Sequence, residues 1–465
     1  MSAAVPNLPR PADQLAGYAV GAFRPDAAPP TPPPEIMMAL ADRIRARRSG
    51  ELSAQRWRDV DDAWFRVADR RYNAVVARHP LPLQAPPLRI GVKDTVDVAG
   101  FPTTLGLRHH RHHPRETVGA LRELDPGLAA VVAKVVTTEL NIGVGSGCVN
   151  PYIPDIDPAG SSTGAGVAVA AGLCDLALGT DVLGSVRWPA GHTGTVGLRT
   201  THRTSALNGV FPLCPPMDAL GWVARSAEDL AVAADALAPR VAGPSGPNGS
   251  PPVTVGVVAE ALDASSPVMA AAARAAEQLL IAVGYRTREV ELGNLWDARG
   301  PAWELCAREA WDAYLIWRDW IDVELKESTH TALEVGSEVG DDRYRTALDS
   351  LRGHRAGIGD RFEASGADVW LMPLDPNPPP SVARARSTTS TIPRRGDDDY
   401  AYRVGFTPVA SFAGLPALTL PVRRGESDGA PLCVQLVGRP GADHALIGLA
   451  RAIERHRPDL HFVPS

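Results

Sequence analysis

Short apolar runs alternate with longer amphipathic stretches along most of this chain of 465 residues. Each run is four to six residues long and is bounded by glycine, proline or charged residues, which is typical of buried β-strands. The run at 88–92 ends directly at Lys93, which therefore lies at the end of a predicted strand. The predicted strands are 88–92, 176–180, 196–199, 253–258, 286–290, 368–372 and 417–422.

Helical periodicity and capping residues occupy the segments between these strands. Ser226 and Asp229 fit a capping box that opens a helix running to about 237. Ser266 precedes Pro267 in the first turn of another helix, which ends before Gly284. Alternating strands and helices predict an α/β fold, with helices covering a mixed and largely buried sheet. Further helices are predicted at 35–76 with a break near 49–50, at 117–134 with a break at 125–127, and at 164–173.

Two segments rich in proline suggest how the chain is divided. Residues 1–35 contain five prolines between 29 and 34 and little periodicity, so we predict a mobile or loosely docked N-terminal arm. Residues 36–465 are predicted to form one domain, with a catalytic core at about 88–240. The Pro/Gly/Ser stretch at 242–252 fits either a linker or a surface loop inside that domain.

The amino-acid composition indicates which classes of partner the protein does not bind and in which cellular compartment it is found. The net charge is −6 with both signs mixed along the chain, so no basic patch for nucleic acid is indicated. No apolar run reaches the ~18 residues needed to span a membrane, and no secretory signal is visible. Five widely spaced cysteines without a CxxC pair predict a reducing, cytoplasmic location rather than a disulfide framework or a zinc site.

Glycines and hydroxyl side chains are concentrated in two segments, 159–166 (AGSSTGAG) and 179–189 (GTDVLGSVRWP). Glycine allows backbone N–H groups to approach a ligand closely. A serine beside such amides could attack a carbonyl while the N–H groups hold the developing oxyanion. No histidine stands beside these serines to act as the base.

Lys93 is the alternative base. A lysine side chain titrates near ~10.4 in water, but burial disfavours the charged form and lowers its pKa. A neutral amine could then accept a proton through a bridging hydroxyl. From residues 90–94 alone, a surface pair between Lys93 and Asp94 explains the lysine equally well.

Taken together, the motifs resemble the amidase signature family in order and spacing, from about residue 88 to the end. The match is weak between 240 and 366, and the first eighty-odd residues show none. Any one motif alone would be unspecific. The segments that carry the resemblance are 90–104 (IGVKDTVDVAGFPTT), 139–150, 160–162 (GSS), 179–190, 194–199 (GTVGLR), 217–218, 225–229, 368–373, 414–421 (GLPALTLP) and 434–440.

The resemblance implies a catalytic triad of Ser185 as nucleophile, Ser161 as bridging serine and Lys93 as base. In this family the bridging serine often follows a cis peptide. Three further residues are expected to hold the catalytic loops in place without reacting themselves: Asp181, Arg187 and Ser162. Backbone N–H groups are expected to form the oxyanion hole, contributed by Val182, Leu183, Gly184 and Ser185.

An amidase-signature fold further implies hydrolysis of a small carboxamide or amide-linked molecule, without metal or organic cofactor. Acyl transfer to an amine is the alternative reaction on the same triad, and a non-catalytic binding protein is an alternative from another class. The glutaminase subunit of a tRNA-dependent amidotransferase also belongs to this family. Nothing in the sequence points to a partner chain of another kind, although the sequence does not exclude a homodimer.

Two features depart from the family pattern or invite another reading. Leu183 replaces a glycine before the expected nucleophile, and it is expected to narrow the acyl pocket or reshape the oxyanion loop. Residues 160–164 also match GxSxG, which would make Ser162 the nucleophile, but the prolines at 151–158 exclude the strand that this motif needs.

Histidines and tryptophans form two further clusters. The run 109–113 (HHRHH) has no acidic or cysteine partner nearby, and a solvated loop explains it better than a metal site. Five tryptophans between 296 and 320 do not form one helical stripe. Either some of them line an acyl pocket, or they pack in the core or at a dimer face.

Overall fold

The computed structural model describes residues 30–237, 254–321 and 324–457. These residues form one mixed sheet of eleven strands surrounded by helices, which confirms the predicted α/β architecture. The strands are β1 (Val75–Arg78), β2 (Leu88–Lys93), β3 (Ala129–Val135), β4 (Leu176–Asp181), β5 (Val196–Arg199), β6 (Ala219–Ala224), β7 (Thr254–Val258), β8 (Arg286–Val290), β9 (Val369–Pro373), β10 (Ala417–Arg424) and β11 (Pro431–Gly438).

Helices cover both faces of this sheet. They are α1 (Pro34–Met37), α2 (Leu40–Ser49), α3 (Ala54–Tyr72), α4 (Thr163–Ala170), α5 (Arg187–His192), α6 (Ala227–Leu237), α7 (Ala259–Asp263), α8 (Pro267–Ala282), α9 (Asn294–Asp297), α10 (Arg299–Ile321), α11 (Glu327–Ser337), α12 (Asp341–Ala356), α13 (Ile358–Ser365), α14 (Val382–Arg386), α15 (Tyr400–Arg403), α16 (Pro408–Phe412) and α17 (Asp443–Arg455).

The strands follow the order β1-β3-β2-β4-β6-β5-β10-β11-β9-β7-β8 across the sheet. Strand β2 pairs in parallel with both β3 and β4, whereas β6, β5, β10 and β11 pair antiparallel with their neighbours. All residues of β2 and β4 are buried, as expected for strands covered on both faces. Parallel pairing places the carboxyl ends of β2 and β4 at the same edge of the sheet.

Several predicted elements are confirmed closely. Strand β2 ends at Lys93, and α4 occupies the small-residue segment. The hydroxyl of Ser226 accepts the N–H of Asp229 at 3.0 Å and so caps α6. Helix α8 begins at Pro267, as its N-terminal signal predicts.

Two predicted helical stretches are partly wrong. Segment 117–134 contains a short 3₁₀ turn (Gly119–Leu121) and then β3, because its β-branched valines pair between β1 and β2. The helix predicted to run to residue 76 ends at Tyr72, where Asn73 adopts a left-handed conformation at φ 52°. Val75 then pairs with Val135, so tertiary pairing overrides the local pattern.

Buried charges fix the N-terminal helices to the sheet. Arg43 on α2 and Arg89 on β2 both contact the carboxylate of Asp175, at 2.5 and 2.7 Å. All three side chains are almost inaccessible to solvent. Helix α2 is therefore held at the start of β4, a contact that no sequence motif predicted.

Two predictions concern segments outside the described residues: most of the arm at 1–35, and the linker or loop at 242–252. Within the described part of the arm, Pro34 already begins α1. Of the helices described, none is long and apolar enough to cross a membrane.

Candidate active site

Lys93 lies at the carboxyl end of β2, and its side chain points into the protein. Its Nζ donates to Ser161 Oγ at 2.7 Å and to Thr180 Oγ1 at 2.9 Å. The side chain has no exposed surface, so the alternative of a surface pair with Asp94 is excluded. Thr180 reaches Lys93 because β2 and β4 pair in parallel. Thr180 was not among the residues predicted from the sequence.

Burial lowers the pKa of Lys93 to about 7, because the ammonium loses its hydration. The carboxylates of Asp181 and Asp218 oppose this shift, but burial outweighs them. A substantial fraction of Lys93 is therefore uncharged at neutral pH. An uncharged amine can accept a proton, which is the property the predicted base requires.

Ser161 lies in the loop before α4 and is held from two sides. Its carbonyl oxygen accepts the N–H of Thr138 at 3.0 Å, and its hydroxyl lies 3.4 Å from Asn141 Oδ1. The peptide bond between Gly160 and Ser161 is cis, as the family resemblance implied. Asn141 belongs to a segment that carried the resemblance, but no role was predicted for it.

Ser185 is half-buried and lies on the wall of a cavity that Ser161 also lines. The backbone N–H of Ser162 donates to the carbonyl oxygen of Ser185 at 3.1 Å, which joins the two glycine-bordered loops. The structure therefore brings Lys93, Ser161 and Ser185 into one region of the protein.

Ser162 is fully buried, and its hydroxyl donates to the carbonyl oxygen of Thr180 at 3.1 Å. No strand precedes it within the described loop at 151–162. The nucleophile-elbow alternative therefore lacks both the strand and an available hydroxyl. Ser162 instead fixes the loop against β4.

A buried ion network supports the loop between β4 and α5. Asp181 accepts from Arg187 Nη2 at 2.8 Å and from Arg199 Nη1 at 3.2 Å. These two guanidinium groups hold the pKa of Asp181 well below its usual range. Arg187 also binds the Thr407 carbonyl oxygen and the Ser411 hydroxyl, so it links this loop to α16. Arg199 is a member of the network that was not predicted from the sequence.

One of the four backbone N–H groups predicted to form the oxyanion hole already has an acceptor. The N–H of Gly184 donates to the Asp181 carboxylate at 3.0 Å and is not free to bind an oxyanion. Within the described residues, the N–H groups of Val182, Leu183 and Ser185 have no acceptor. Gly184 has φ +125°, where an added Cβ would lie 2.8 Å from Thr407 Oγ1.

The backbone of Leu183 does not adopt the left-handed conformation, which a leucine side chain would disfavour. Its φ is not positive, and the side chain is buried on the wall of the cavity. Its carbonyl oxygen accepts the hydroxyl of Thr407. The leucine side chain therefore occupies part of the cavity wall, which is where a narrower acyl pocket is expected.

The cavity has an empty volume of about 1330 Å³, part of which is open to solvent. Trp303 alone among the five clustered tryptophans lines it, together with Trp188 of α5. Trp296 packs on Phe406, and Trp317 packs on Phe211 and Trp320. One tryptophan of the cluster therefore lines the cavity, whereas others pack against aromatic side chains elsewhere.

Asp157 and Asp375 also line the cavity, and neither was predicted.

The histidine run packs on a tryptophan. His110 and His112 stack edge-on against Trp320, with ring centroids 4.3 and 5.7 Å away. In the part of the chain that the structure describes, no group of three potential metal ligands is found. His110 is buried rather than solvated, which corrects one detail of the predicted loop.

Comparisons with known proteins identify the family and agree with the fold. The model of the family described as Amidase matches residues 67–447. A 2-amino-5-chloromuconic acid deaminase from Comamonas testosteroni is 33% identical over 393 residues, covering 79% of this chain and 81% of the relative. One subunit of the glutamyl-tRNA(Gln) amidotransferase from Thermus thermophilus is 30% identical over 476 residues, covering 91% of this chain and 98% of the relative.

Among solved structures, a crystal structure of an amidase matches with a TM-score of 0.77 and 25% identity, covering 90% of this chain and 100% of that one. The fold and these relatives identify an enzyme that acts on C–N bonds other than peptide bonds. The chain belongs to the Amidase family.

Proposed function

We propose that the protein hydrolyses a small carboxamide or amide-linked molecule through an acyl-enzyme on Ser185. The observation that carries this proposal is the 2.7 Å contact between the buried Nζ of Lys93 and the hydroxyl of Ser161. That contact joins a buried base, whose pKa is about 7, to a hydroxyl on the wall of the cavity that Ser185 also lines.

In the proposed reaction, neutral Lys93 takes the proton of Ser161, which takes the proton of Ser185. The Ser185 oxygen attacks the amide carbonyl, and the free N–H groups of Val182, Leu183 and Ser185 bind the oxyanion. Each such donor typically contributes ~3–4 kcal/mol to lowering the barrier. Lys93 then returns the proton through Ser161 to the leaving nitrogen, the C–N bond breaks, and water hydrolyses the ester.

Acyl transfer is the second candidate, because the match to the amidotransferase relative covers almost all of that protein. In this case an amine, rather than water, would take the acyl group from Ser185. The name of that relative, an amidotransferase subunit, is consistent with transfer of this kind. Product analysis with and without added amines distinguishes hydrolysis from transfer.

A fluorophosphonate probe tests the proposal directly. Intact-mass and peptide mass spectrometry should show one adduct, located on Ser185, and Ser185→Ala should abolish it. Ser162→Ala is the matched control, because its hydroxyl already donates to a backbone carbonyl. A labelled Ser162, or a folded protein without any adduct, would disprove the proposed nucleophile. A panel of aliphatic, aryl and peptidyl amides then identifies the substrate class.

A further inference from the structure

The carboxylate of Asp375 lies on the cavity wall, two residues after the end of β9. Its Oδ1 accepts the indole N–H of Trp188 at 2.9 Å. Within the described residues, its other oxygen, Oδ2, receives no hydrogen bond. Asp375 is half-buried on the cavity wall, so this oxygen can accept a hydrogen bond from a ligand in the cavity.

The nearby positive charges are already engaged. Arg187 is held by Asp181, Thr407, Ser411 and Gln435. Arg403, which lines the same cavity, donates to Asp397 at 2.6 Å. Burial raises the pKa of Asp375 to about 7, because the hydrogen bond from Trp188 and the positive charge of Arg187 offset only part of the lost hydration.

Asp157, the other cavity carboxylate, is in a different situation. It accepts the backbone N–H of Ala159 at 3.1 Å and so supports the loop that carries Ser161. The positive charge of Arg386 lies close enough to lower its pKa, against a larger effect of burial. Each carboxylate thus has one oxygen that accepts a hydrogen bond, but that of Asp157 comes from the loop backbone, whereas that of Asp375 comes from an indole ring of the cavity wall.

Two indole rings accompany Asp375 in the cavity. Trp188 and Trp303 are nearly parallel, with an interplanar angle of 16° and ring centroids 6.4 Å apart. The indole N–H of Trp303 donates to the carbonyl oxygen of Val404 at 3.0 Å, which fixes the ring. Indole rings attract cations, and a carboxylate beside them adds a formal negative charge.

We infer that Asp375, together with Trp188 and Trp303, forms a subsite that binds a positively charged amino group of the substrate. Asp375 is thus a specificity-determining residue that contacts the substrate away from its reacting amide. This inference rests on the proposed function, because the cavity that contains the subsite also contains Ser185. It narrows the substrate class to amides that carry a primary or secondary ammonium group.

Protection of Ser185 from the fluorophosphonate probe tests the subsite without knowledge of the substrate. n-Butylammonium should slow labelling of the wild-type protein, whereas the neutral match 1-butanol should do so only at concentrations at least about tenfold higher. In Asp375→Asn this difference should fall to about threefold or less. Equal protection by both compounds, or unchanged selectivity in the variant, would overturn the inference.

The control variant is Asp399→Asn, which removes a negative charge near Arg403 without changing the cavity wall. It should retain the tenfold preference for the ammonium compound. Asp375→Ser removes the same charge if the asparagine variant does not fold. If Ser185 takes no label at all, the proposed function fails. The subsite is then tested independently by calorimetric titration of n-butylammonium into the wild-type protein and Asp375→Asn, where only the wild-type protein should bind it.

Discussion

The Nζ atom of Lys93 lies 2.7 Å from the hydroxyl oxygen of Ser161, although 68 residues separate them along the chain. Parallel pairing of β2 with β4 places the end of β2 beside the loops that carry Ser161 and Ser185. The same pairing buries the lysine completely. One packing arrangement therefore both positions the amine and lowers its pKa.

The pH profile is the first prediction. Lys93 has to be uncharged to accept a proton, so kcat/KM should fall about tenfold per unit as the pH drops below its pKa of about 7. Above that pKa the rate should level off. With an uncharged amide, which does not depend on the charge of Asp375, Lys93→Met should lower kcat/KM by at least ~100-fold and remove this acid limb. Steady-state kinetics between pH 5 and 9 provide the measurement.

Lys134 is the control for this profile. It is equally buried, on β3, and burial lowers its pKa to about 8, but it donates to the Val96 carbonyl oxygen and the Thr103 hydroxyl. Lys134→Met should cost stability and keep the acid limb near pH 7. A flat profile in the wild-type protein would contradict the role of Lys93.

The second prediction concerns Asp181. Asp181→Asn leaves Arg187 and Arg199 without their buried carboxylate, which should lower the free energy of unfolding by ~3–5 kcal/mol. Urea denaturation measures this change. Asp342→Asn, which breaks an exposed pair with Arg345, should change it by less than ~0.5 kcal/mol. Similar losses in both variants would show that the buried network contributes little.

The third prediction concerns Leu183 and acyl specificity. Leu183→Ala widens the cavity wall next to Ser185, so kcat/KM for amides with branched or aromatic acyl groups should rise about tenfold relative to acetamide. Leu292→Ala removes an equally buried leucine that does not line the cavity. It should lower stability and leave the relative kcat/KM values unchanged. Unaltered acyl preference in Leu183→Ala would show that this side chain does not restrict the pocket.

The fourth prediction concerns Gly164 at the start of α4. A Cβ at this position would lie 2.2 Å from the backbone nitrogen of Val136, so Gly164→Ala should destabilise the protein by at least ~1–3 kcal/mol. Gly448→Ala, in α17, meets no atom within 4 Å and should instead stabilise it by ~0.5–1 kcal/mol. Thermal melting of both variants provides the comparison, and equal melting temperatures would refute the steric argument.

Local sequence patterns were sufficient for much of the fold. The apolar run before Lys93 predicted β2, and Ser226 predicted the start of α6, because burial and capping depend on neighbouring residues. The patterns failed at β3, where valines that fit either a helix or a strand pair with β1 and β2. Such pairing depends on residues far away in the sequence.

The sequence by itself determined which groups are available for chemistry: a lysine at the end of a buried strand, and two serines in glycine-rich loops. Only the tertiary structure decided that Lys93 is buried beside Ser161, that Gly184 is committed to Asp181, and that Asp375 faces the cavity. The physical reason is that a pKa, a hydrogen-bond partner and a cavity wall all depend on distances between atoms from separate segments. Those distances exist once the sheet has assembled.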